Sequence, residues 1–198
     1  MEFDKVIVRR KSVRAFKNKM VDWRLILEAV EAVTQGPFAG NKINVKFIIV
    51  EEPTVIKKIA EYSDQLWIAE APALVVVCAI TKWLEKLYNE KGKMYSHQQC
   101  GAAIETFLLK LVDVGLSGCW VGSFADHHIK TTLGIPEDVN IEAIIPIGYE
   151  RIEKGRSKRP EKPKIENAIS WELWDTSRRR PLFVEPKPLD IMTHGIKI

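Results

Sequence analysis

The longest uninterrupted apolar stretch of the sequence, APALVVVCAI at residues 71–80, limits the folds that are open to the chain. A helix needs about 20 apolar residues to span a bilayer, so this run is too short for a transmembrane segment. Its length and its β-branched residues are typical of a buried strand. With 198 residues, of which 46% are hydrophobic and 28% charged, the chain has an ordinary soluble globular composition, and we expect one domain over residues 1–198.

The other patterns predict helices and strands in an order that is typical of an α+β protein. Asp22 is a good N-cap for a helix over residues 23–35, and Gly36 followed by Pro37 ends that helix. Further helices are predicted at residues 3–8, 53–59, 97–114 and 125–134, strands at 45–52, 74–80, 118–122 and 141–149, and a helical excursion or lid at 81–95. Because long helices separate few strands without strict βαβ alternation, we expect an α+β fold.

The three cysteines, Cys78, Cys100 and Cys119, predict reduced and mostly buried thiols, because their number is odd and no CxxC pair is present. His97 and Cys100 have the spacing of metal ligands, but no second pair lies nearby in the sequence, so we expect no metal site. The start of the chain lacks the apolar core of a signal peptide, which favours a cytoplasmic protein.

Two clusters of basic residues suggest contact with an anion. In the first, RRKSVRAF at residues 9–16, extended backbone would project Arg10, Ser12 and Arg14 to one side and leave Lys11 and Val13 on the other. The second cluster spans residues 151–164 and is followed by three arginines at 178–180. Such clusters either lie on a solvated surface or neutralise phosphate on a nucleic acid or a small ligand.

The signatures of self-contained catalytic machinery are absent from the sequence. No GxGxxG follows a strand, no Walker A loop is present, and no GxSxG or other nucleophile signature occurs. The basic regions are not interleaved with aromatic residues, which disfavours nucleic-acid binding. Two glycine-containing loops, at residues 36–41 and 115–124, are each explained by a turn or by close packing, although glycine also lets backbone approach a flat ligand.

In order and spacing, these pieces resemble the FMN-dependent nitroreductase family over nearly the whole chain. They are the basic motif, the loop at 37–41 ahead of FIIV, the helix HQQCGAAIETFLLKLVDVGL, the segment GCWVGSF, the strand IPIGY and the last basic, proline-containing segment. The resemblance implies an α+β fold with a central, mostly antiparallel sheet flanked by helices. It also implies an intertwined homodimer that binds FMN at the subunit interface, with residues 171–198 as an arm that wraps the partner subunit.

The resemblance further implies which residues contact FMN. The phosphate and the polar edge of the ring would be held by the first basic cluster, namely Arg10, Lys11, Ser12 and Arg14. A late basic segment would complete the phosphate site, and the candidates there are Lys158, Arg159 and Lys162. The ribityl chain and the ring would be lined by Pro37, Ala39 and Asn41. The N–H of Gly122 would be offered to flavin N5, with Trp120 and Val121 alongside.

The chain departs from the family pattern around the loop at 37–45. The family often has Ser at position 38, Gln at position 43 and Pro-Trp at positions 44 and 45, where this chain has Phe38, Ile43, Asn44 and Val45. Phe38 and Ile43 would make this wall of the site less polar. Residues 81–95 resemble the variable region that shapes the substrate pocket, so the candidate pocket residues are Phe38, Trp83 and Tyr88. Ordinary helix packing is the alternative for Trp83 and Tyr88.

The function implied by the resemblance is a ping-pong oxidoreductase. NADH or NADPH would reduce FMN, and an electron-poor acceptor such as a nitroaromatic or a quinone would take the electrons. No protein nucleophile is then needed, because the cofactor carries out the redox chemistry. The alternatives are another flavin reaction on the same fold, such as dehalogenation, flavin fragmentation or peptide oxidation, and, less favoured, a nucleic-acid-binding module.

Overall fold

A four-stranded antiparallel sheet with the order β1-β2-β4-β3 organises the computed structural model, which describes residues 1–152 and 164–174. The strands are β1 (Val45–Val50), β2 (Ala73–Ala79), β3 (Ser117–Gly118) and β4 (Asn140–Gly148). All residues of β2 are buried, because it lies between two other strands and both of its faces are covered. The apolar run at residues 71–80 is therefore an inner strand, as its composition predicts.

Helices cover both faces of the sheet. They are α1 (Phe3–Arg9), α2 (Trp23–Val33), α3 (Pro53–Tyr62), α4 (Lys82–Tyr88), α5 (Glu90–Asp113) and α6 (Asp126–Leu133). Successive residues of β2 point to opposite faces, so Val75 and Val77 pack with α2 and α5, whereas Leu74 and Val76 pack with α3 and α6. This architecture confirms the predicted α+β fold with an antiparallel sheet between helices.

The predicted helices are correct in position and differ at their ends. Asp22 caps α2 as predicted, because its carboxylate accepts the N–H of Arg24 at 3.0 Å. The predicted excursion at 81–95 contains α4 and the start of α5, which are separated only by Asn89 with φ 51° and ψ −133°. α5 thus begins at Glu90 and not at residue 97. Its first turn packs closely on α4, since a side chain at Gly92 would overlap the α4 backbone.

The strand predicted at residues 118–122 is interrupted. β3 ends at Gly118, and the same register returns only at an isolated bridge between Val121 and Ile144. In this register Cys119 lies opposite Pro146. Because proline has no N–H to donate, the hydrogen-bonded pair at that position cannot form and the ladder stops.

Residues 164–174 belong to a second compact unit, Gly155–Ile198, which is distinct from the unit Met1–Lys154 that contains the sheet. They include a short 3-10 helix, Ile165–Ala168, and an exposed apolar stretch with Trp171, Leu173 and Trp174. Residues 175–198 lie outside the described residues. The single domain, the arm at 171–198 and the homodimer therefore stay predictions.

Candidate functional site

The first basic cluster meets the outer edge of β3 at Val13, and the residues that follow it pair with the segment after β4. Val13 N–H donates to the Gly118 carbonyl at 3.1 Å and fixes the segment there. The side chains of Val13 and Ala15 are buried, whereas Ser12 and Arg14 are exposed. The predicted alternation is therefore present over residues 12–15, whereas Lys11, which was predicted on the side of Val13, is exposed.

Two of the cations in this cluster are paired with carboxylates. Arg10 Nε lies 3.5 Å from Glu105 Oε1 on α5. Lys11 Nζ lies 2.6 Å from Glu150 Oε1, just beyond the end of β4. These pairs orient two positive charges at the same edge of the sheet and offset part of their mutual repulsion.

The amide of Gly122 faces this same outer edge. Val121 exchanges two hydrogen bonds with Ile144 of β4, of 2.9 and 3.0 Å, so the Val121 carbonyl points into the sheet. In a trans peptide the next N–H points the opposite way, and Gly122 N–H therefore turns outward. The Gly118 carbonyl that binds Val13 also faces this edge, roughly 13 Å away along an extended strand. We call residues 10–14 together with 120–122 the basic edge.

A second set of predicted residues lies in the loop between α2 and β1. Its 3-10 turn, Ala39–Asn41, places Asn41 at φ 52°. Ala39 N–H donates to Gln99 Oε1 of α5 at 2.7 Å, so the loop rests on that helix. A hollow of about 260 Å³ lies beside this contact, and it is lined by Pro37 and Ala39 of the loop and by Tyr95, Gln98, Gln99 and Ala102 of α5. We call residues 37–41 and this face of α5 the loop group.

Both groups are attached to the same helix. The basic edge contacts α5 through Arg10 and Glu105, and the loop group contacts it through Ala39 and Gln99. Six residues separate the two attachment points, which is about 9 Å along a helix axis. α5 therefore fixes the spacing between the two sets of predicted site residues.

The sequence model of the Nitroreductase family matches residues 7–81 and 63–149, which contain both groups. The chain belongs to the nitroreductase family. Membership confirms the predicted family and the prediction that the chain is an oxidoreductase. The family is flavin-dependent, in agreement with the flavin chemistry predicted for this site.

This nitroreductase-family chain is similar to known proteins over most of its length. A protein of Archaeoglobus fulgidus, provisionally named an NADH dehydrogenase/NAD(P)H nitroreductase, is 29% identical over 155 residues, which cover 76% of this chain and 86% of that protein. An iodotyrosine deiodinase of Thermotoga neapolitana is 21% identical over 162 residues, covering 71% and 84%. The solved structure of an FMN-dependent nitroreductase from Clostridium difficile shares the fold, with a TM-score of 0.71, 18% identity and coverage of 85% and 98%.

The structure brings only part of the predicted substrate pocket of this nitroreductase-family protein to the loop group. Tyr88 packs edge-on against Tyr95, with ring centroids 5.2 Å apart, and its hydroxyl lies beside Gly40 of the loop. Phe38 is half-buried within the loop. Trp83 instead lines a separate hollow of about 200 Å³, where Lys42 Nζ lies 5.0 Å from its ring centroid.

The α5 residues of the loop group are not among the site residues predicted from the sequence. Tyr95, Gln98, Gln99 and Ala102 recur at helical spacing, which shows that they share one face of a helix. This helical spacing can be seen in the sequence, but it does not show which loop packs against that face of the helix.

Three further predictions for this nitroreductase-family chain concern the late basic residues, the cysteines and a metal site. Lys158, Arg159 and Lys162 lie outside the described residues. Burial raises the pKa of Cys78 to about 11 and that of Cys100 to about 12, so both thiols stay protonated near neutral pH and are poor nucleophiles. Within residues 1–152 and 164–174, no three side chains of His, Cys, Asp or Glu are grouped as metal ligands, and no helix has the length and hydropathy needed to cross a bilayer.

Proposed function

We propose that the protein is a homodimeric, FMN-dependent oxidoreductase that takes electrons from NADH or NADPH and delivers them to an electron-poor acceptor, such as a nitroaromatic or a quinone. The observation that carries the proposal is that the exposed Ser12 and Arg14 flank Val13, which is bonded to the outer edge of β3, and that the Gly122 amide turns to this same edge. FMN requires cations for its phosphate and hydrogen-bond donors for its ring, and this edge has both.

The basic edge suits a phosphate, which carries about two negative charges. Arg10 and Lys11 are held in place by carboxylates. Arg14 has no carboxylate partner in the part of the chain that the structure describes, and its planar guanidinium can contact a phosphate through two N–H groups. We therefore assign the phosphate to Arg10, Lys11, Ser12 and Arg14, with Lys158, Arg159 and Lys162 as candidates to complete the contact.

Bound FMN would supply two-electron chemistry that links a nicotinamide donor to a separate acceptor. Gly122 N–H would donate a hydrogen bond to the ring without adding a group that titrates. Val121 would act only through its backbone, because its side chain is buried and its amide and carbonyl are bonded to Ile144. Trp120 is exposed next to this donor and would flank the ring.

The loop group would complete the site from the partner subunit. A twofold axis that crosses α5 near Ala102, which is exposed, would bring the basic edge of one protomer opposite the loop group of the other. Pro37, Ala39 and Asn41 would then line the ribityl chain and the ring. Phe38 and Tyr88 would lie on the acceptor side, and Trp83 would contribute at its rim.

Reductive dehalogenation is a second candidate reaction. It is favoured by the similarity to a protein named iodotyrosine deiodinase. The two candidates differ in the acceptor, so halide release from iodotyrosine and loss of a nitroaromatic should be measured with the same reduced preparation.

We also propose a cytoplasmic location for the protein. Its three cysteines are all free and buried, as expected in a reducing compartment.

The proposal is tested by the absorption spectrum of the purified protein, by its size in solution, and by initial rates with donor and acceptor varied together. We expect a yellow dimer and parallel double-reciprocal lines, because the donor leaves before the acceptor binds. Intersecting lines would contradict the ping-pong order. A colourless protein that ignores added FMN and shifts RNA in a salt-dependent way would instead support the nucleic-acid alternative.

A further inference from the structure

We infer that a buried chain of hydrogen-bonded side chains, the amides of Gln99 and Asn44 and the hydroxyl of Ser96, positions the loop at residues 37–41 for its contacts with FMN. We call these three residues the amide relay. Asn44 and Ser96 would not touch the cofactor, so they are positioning residues that act through Gln99, Ala39 and Asn41, whereas Gln99 also lines the hollow of the loop group. This inference rests on the proposed function, which gives the loop its role.

The relay consists of three consecutive hydrogen bonds. Ala39 N–H donates to Gln99 Oε1 at 2.7 Å. Gln99 Nε2 donates to Asn44 Oδ1 at 2.6 Å, and Asn44 Nδ2 donates to Ser96 Oγ at 2.5 Å. The exposed fractions of Gln99, Asn44 and Ser96 are only 6%, 3% and 0%. At a site this buried, the loss of each hydrogen bond would be costly, because the polar group that loses its partner cannot form a hydrogen bond with water instead.

The loop needs such support because its own backbone does little to define it. Gly40 and Asn41 both have left-handed backbone, with φ of 63° and 52°, a conformation that costs a non-glycine residue roughly 1–2 kcal/mol. Within the turn, one hydrogen bond of 2.9 Å joins Asn41 N–H to the Phe38 carbonyl. The relay adds a hydrogen bond at Ala39, the first residue of this turn, and two at Asn44 after it, and all three involve side chains of α5.

The relay also accounts for a departure from the family pattern. At position 44 the family often has proline, whose side chain can neither donate nor accept a hydrogen bond. Asn44 does both, since its carbonyl faces Gln99 and its amino group faces Ser96. It is also bound through its backbone, because its main-chain carbonyl accepts Ile80 N–H at 2.8 Å. This chain therefore holds the end of the loop by buried polar bonds that a proline at position 44 could not make.

Two substitutions at position 44 distinguish the effect of the relay hydrogen bonds from the effect of side-chain volume. Asn44→Leu keeps a similar shape and removes both side-chain bonds. Asn44→Asp keeps two acceptor oxygens, which can bind Gln99 Nε2 and the hydroxyl hydrogen of Ser96. Should Asn44→Leu fail to fold, Ser96→Ala removes only the last bond of the relay. Gln35→Leu is the matched control, because Gln35 is exposed and, among the described residues, the one hydrogen bond of its side chain goes to the neighbouring Thr34.

Two measurements on the full chain decide the inference. Hydrogen exchange of the Ala39 amide without FMN reports on the loop directly, since Gln99 Oε1 is its acceptor. The dissociation constant for FMN reports on the consequence. For Asn44→Leu we expect about tenfold faster exchange and about tenfold weaker FMN binding, as the loss of one to two net hydrogen bonds predicts. Gln35→Leu should stay close to wild type in both measurements, and Asn44→Asp should stay close to wild type in the exchange of Ala39, although its buried carboxylate lowers the free energy of unfolding.

The failure of this inference differs from the failure of the proposed function. Unchanged exchange at Ala39 in Asn44→Leu and Ser96→Ala would show that the relay does not hold the loop. Faster exchange with unchanged FMN affinity would show that the loop does not need to be held. If wild-type protein bound no FMN, the proposed function and the positioning role would both fail, and exchange would still report whether the relay orders the loop.

Discussion

Arg14 is the residue whose surroundings point most directly to a ligand. Its guanidinium lies 5.9 Å from the Trp67 ring centroid, and a contact of that kind at an exposed site contributes only about 0.5–1 kcal/mol. Arg24 has the same kind of neighbour, with its guanidinium 5.2 Å from the Trp23 ring centroid, but it lies at the start of α2 and away from the basic edge. A comparison of substitutions at Arg14 and Arg24 therefore distinguishes the effect of losing an exposed arginine from the effect of losing a phosphate contact.

We predict that Arg14→Ala lowers FMN affinity about 10- to 100-fold, which corresponds to about 1.5–3 kcal/mol for hydrogen bonds to a charged group. The midpoint of thermal unfolding without FMN should change little, as expected for an exposed side chain. Arg24→Ala should leave both quantities near wild type. Equal losses of affinity and stability in Arg14→Ala would assign Arg14 a structural role. Fluorescence titration and thermal melts provide the two measurements.

The buried thiols predict a loss of stability at alkaline pH. Burial raises the pKa of Cys78 to about 11 from an ordinary value of 9.0, and that of Cys100 to about 12. Below pH 9 both folded and unfolded states keep these protons. Above it the unfolded state releases them first, so the free energy of unfolding should fall as pH rises towards 11, by up to about 1.4 kcal/mol per pH unit and thiol. Urea unfolding at a series of alkaline pH values measures this slope.

The double variant Cys78→Ala/Cys100→Ala is the comparison for this slope. It should be less stable at neutral pH, because two small cavities form in the core. Its stability should nevertheless fall less steeply above pH 9. An equal slope in both proteins would assign the alkaline effect to other groups.

Some site residues could be predicted from the sequence and others could not. Ser12 and Arg14 followed from the period-two alternation of an extended segment, which is a local property. Gln99 could not be predicted, because its role depends on a contact with Ala39 that is 60 residues away in the chain. Helical periodicity shows that a side chain is on a given face, but the identity of the segment it meets depends on the tertiary fold.

Among the elements, α4 and α5 pack closely against each other at their junction. A Cβ on Gly92 would overlap the carbonyl group of Leu84 and the amide nitrogen of Glu85. Gly101 is in the same helix, but nothing lies within 4 Å of where its Cβ would be. One helix therefore offers two glycines with opposite expected responses to the same substitution.

We predict that Gly92→Ala lowers the free energy of unfolding by about 1–3 kcal/mol or more, because the two helix backbones must separate. Gly101→Ala should raise it by about 0.5–1 kcal/mol, since alanine is the better helix former and fits without contact. Urea denaturation measures both. A similar small effect in the two variants would mean that α4 and α5 are not in close contact at Gly92.

The interrupted β3 and the early start of α5 show where element prediction fails. Residues 118–122 have the composition of a strand, and only the pairing of Cys119 with Pro146 explains why the ladder stops. The start of α5 was missed because Gly92 disfavours helix and the first turns lack apolar periodicity. In both cases the deciding contact lies in another element, whereas inner strand β2 was predictable from its own run of apolar residues.

At the scale of the whole molecule, the basic edge and the loop group are two halves of the proposed FMN site. If each site takes its halves from different protomers, two defective variants can complement each other in a mixed dimer. Arg14→Ala disables the basic edge. Asn41→Gly removes the loop amide and suits the left-handed backbone at that position.

We predict that protein refolded from an equal mixture of Arg14→Ala and Asn41→Gly regains about a quarter of the wild-type FMN sites, because half of the dimers are mixed and each has one intact site of two. At an FMN concentration that fills only intact sites, each variant refolded alone should bind little FMN. No recovery in a preparation that is dimeric by size-exclusion chromatography would place both halves of the site in the same protomer. Flavin absorbance after gel filtration gives the count of sites.

Pro146 has a consequence beyond the length of a strand. Unpaired strand edges are templates on which other chains can add and aggregate, and β3 is at the edge of the sheet. Pro146 cannot donate a hydrogen bond to Cys119, so β3 is only two residues long. An incoming chain could therefore pair with very few residues of β3. The protein can thus keep a backbone amide open to solvent beside a sheet without turning that edge into a seed for fibrils.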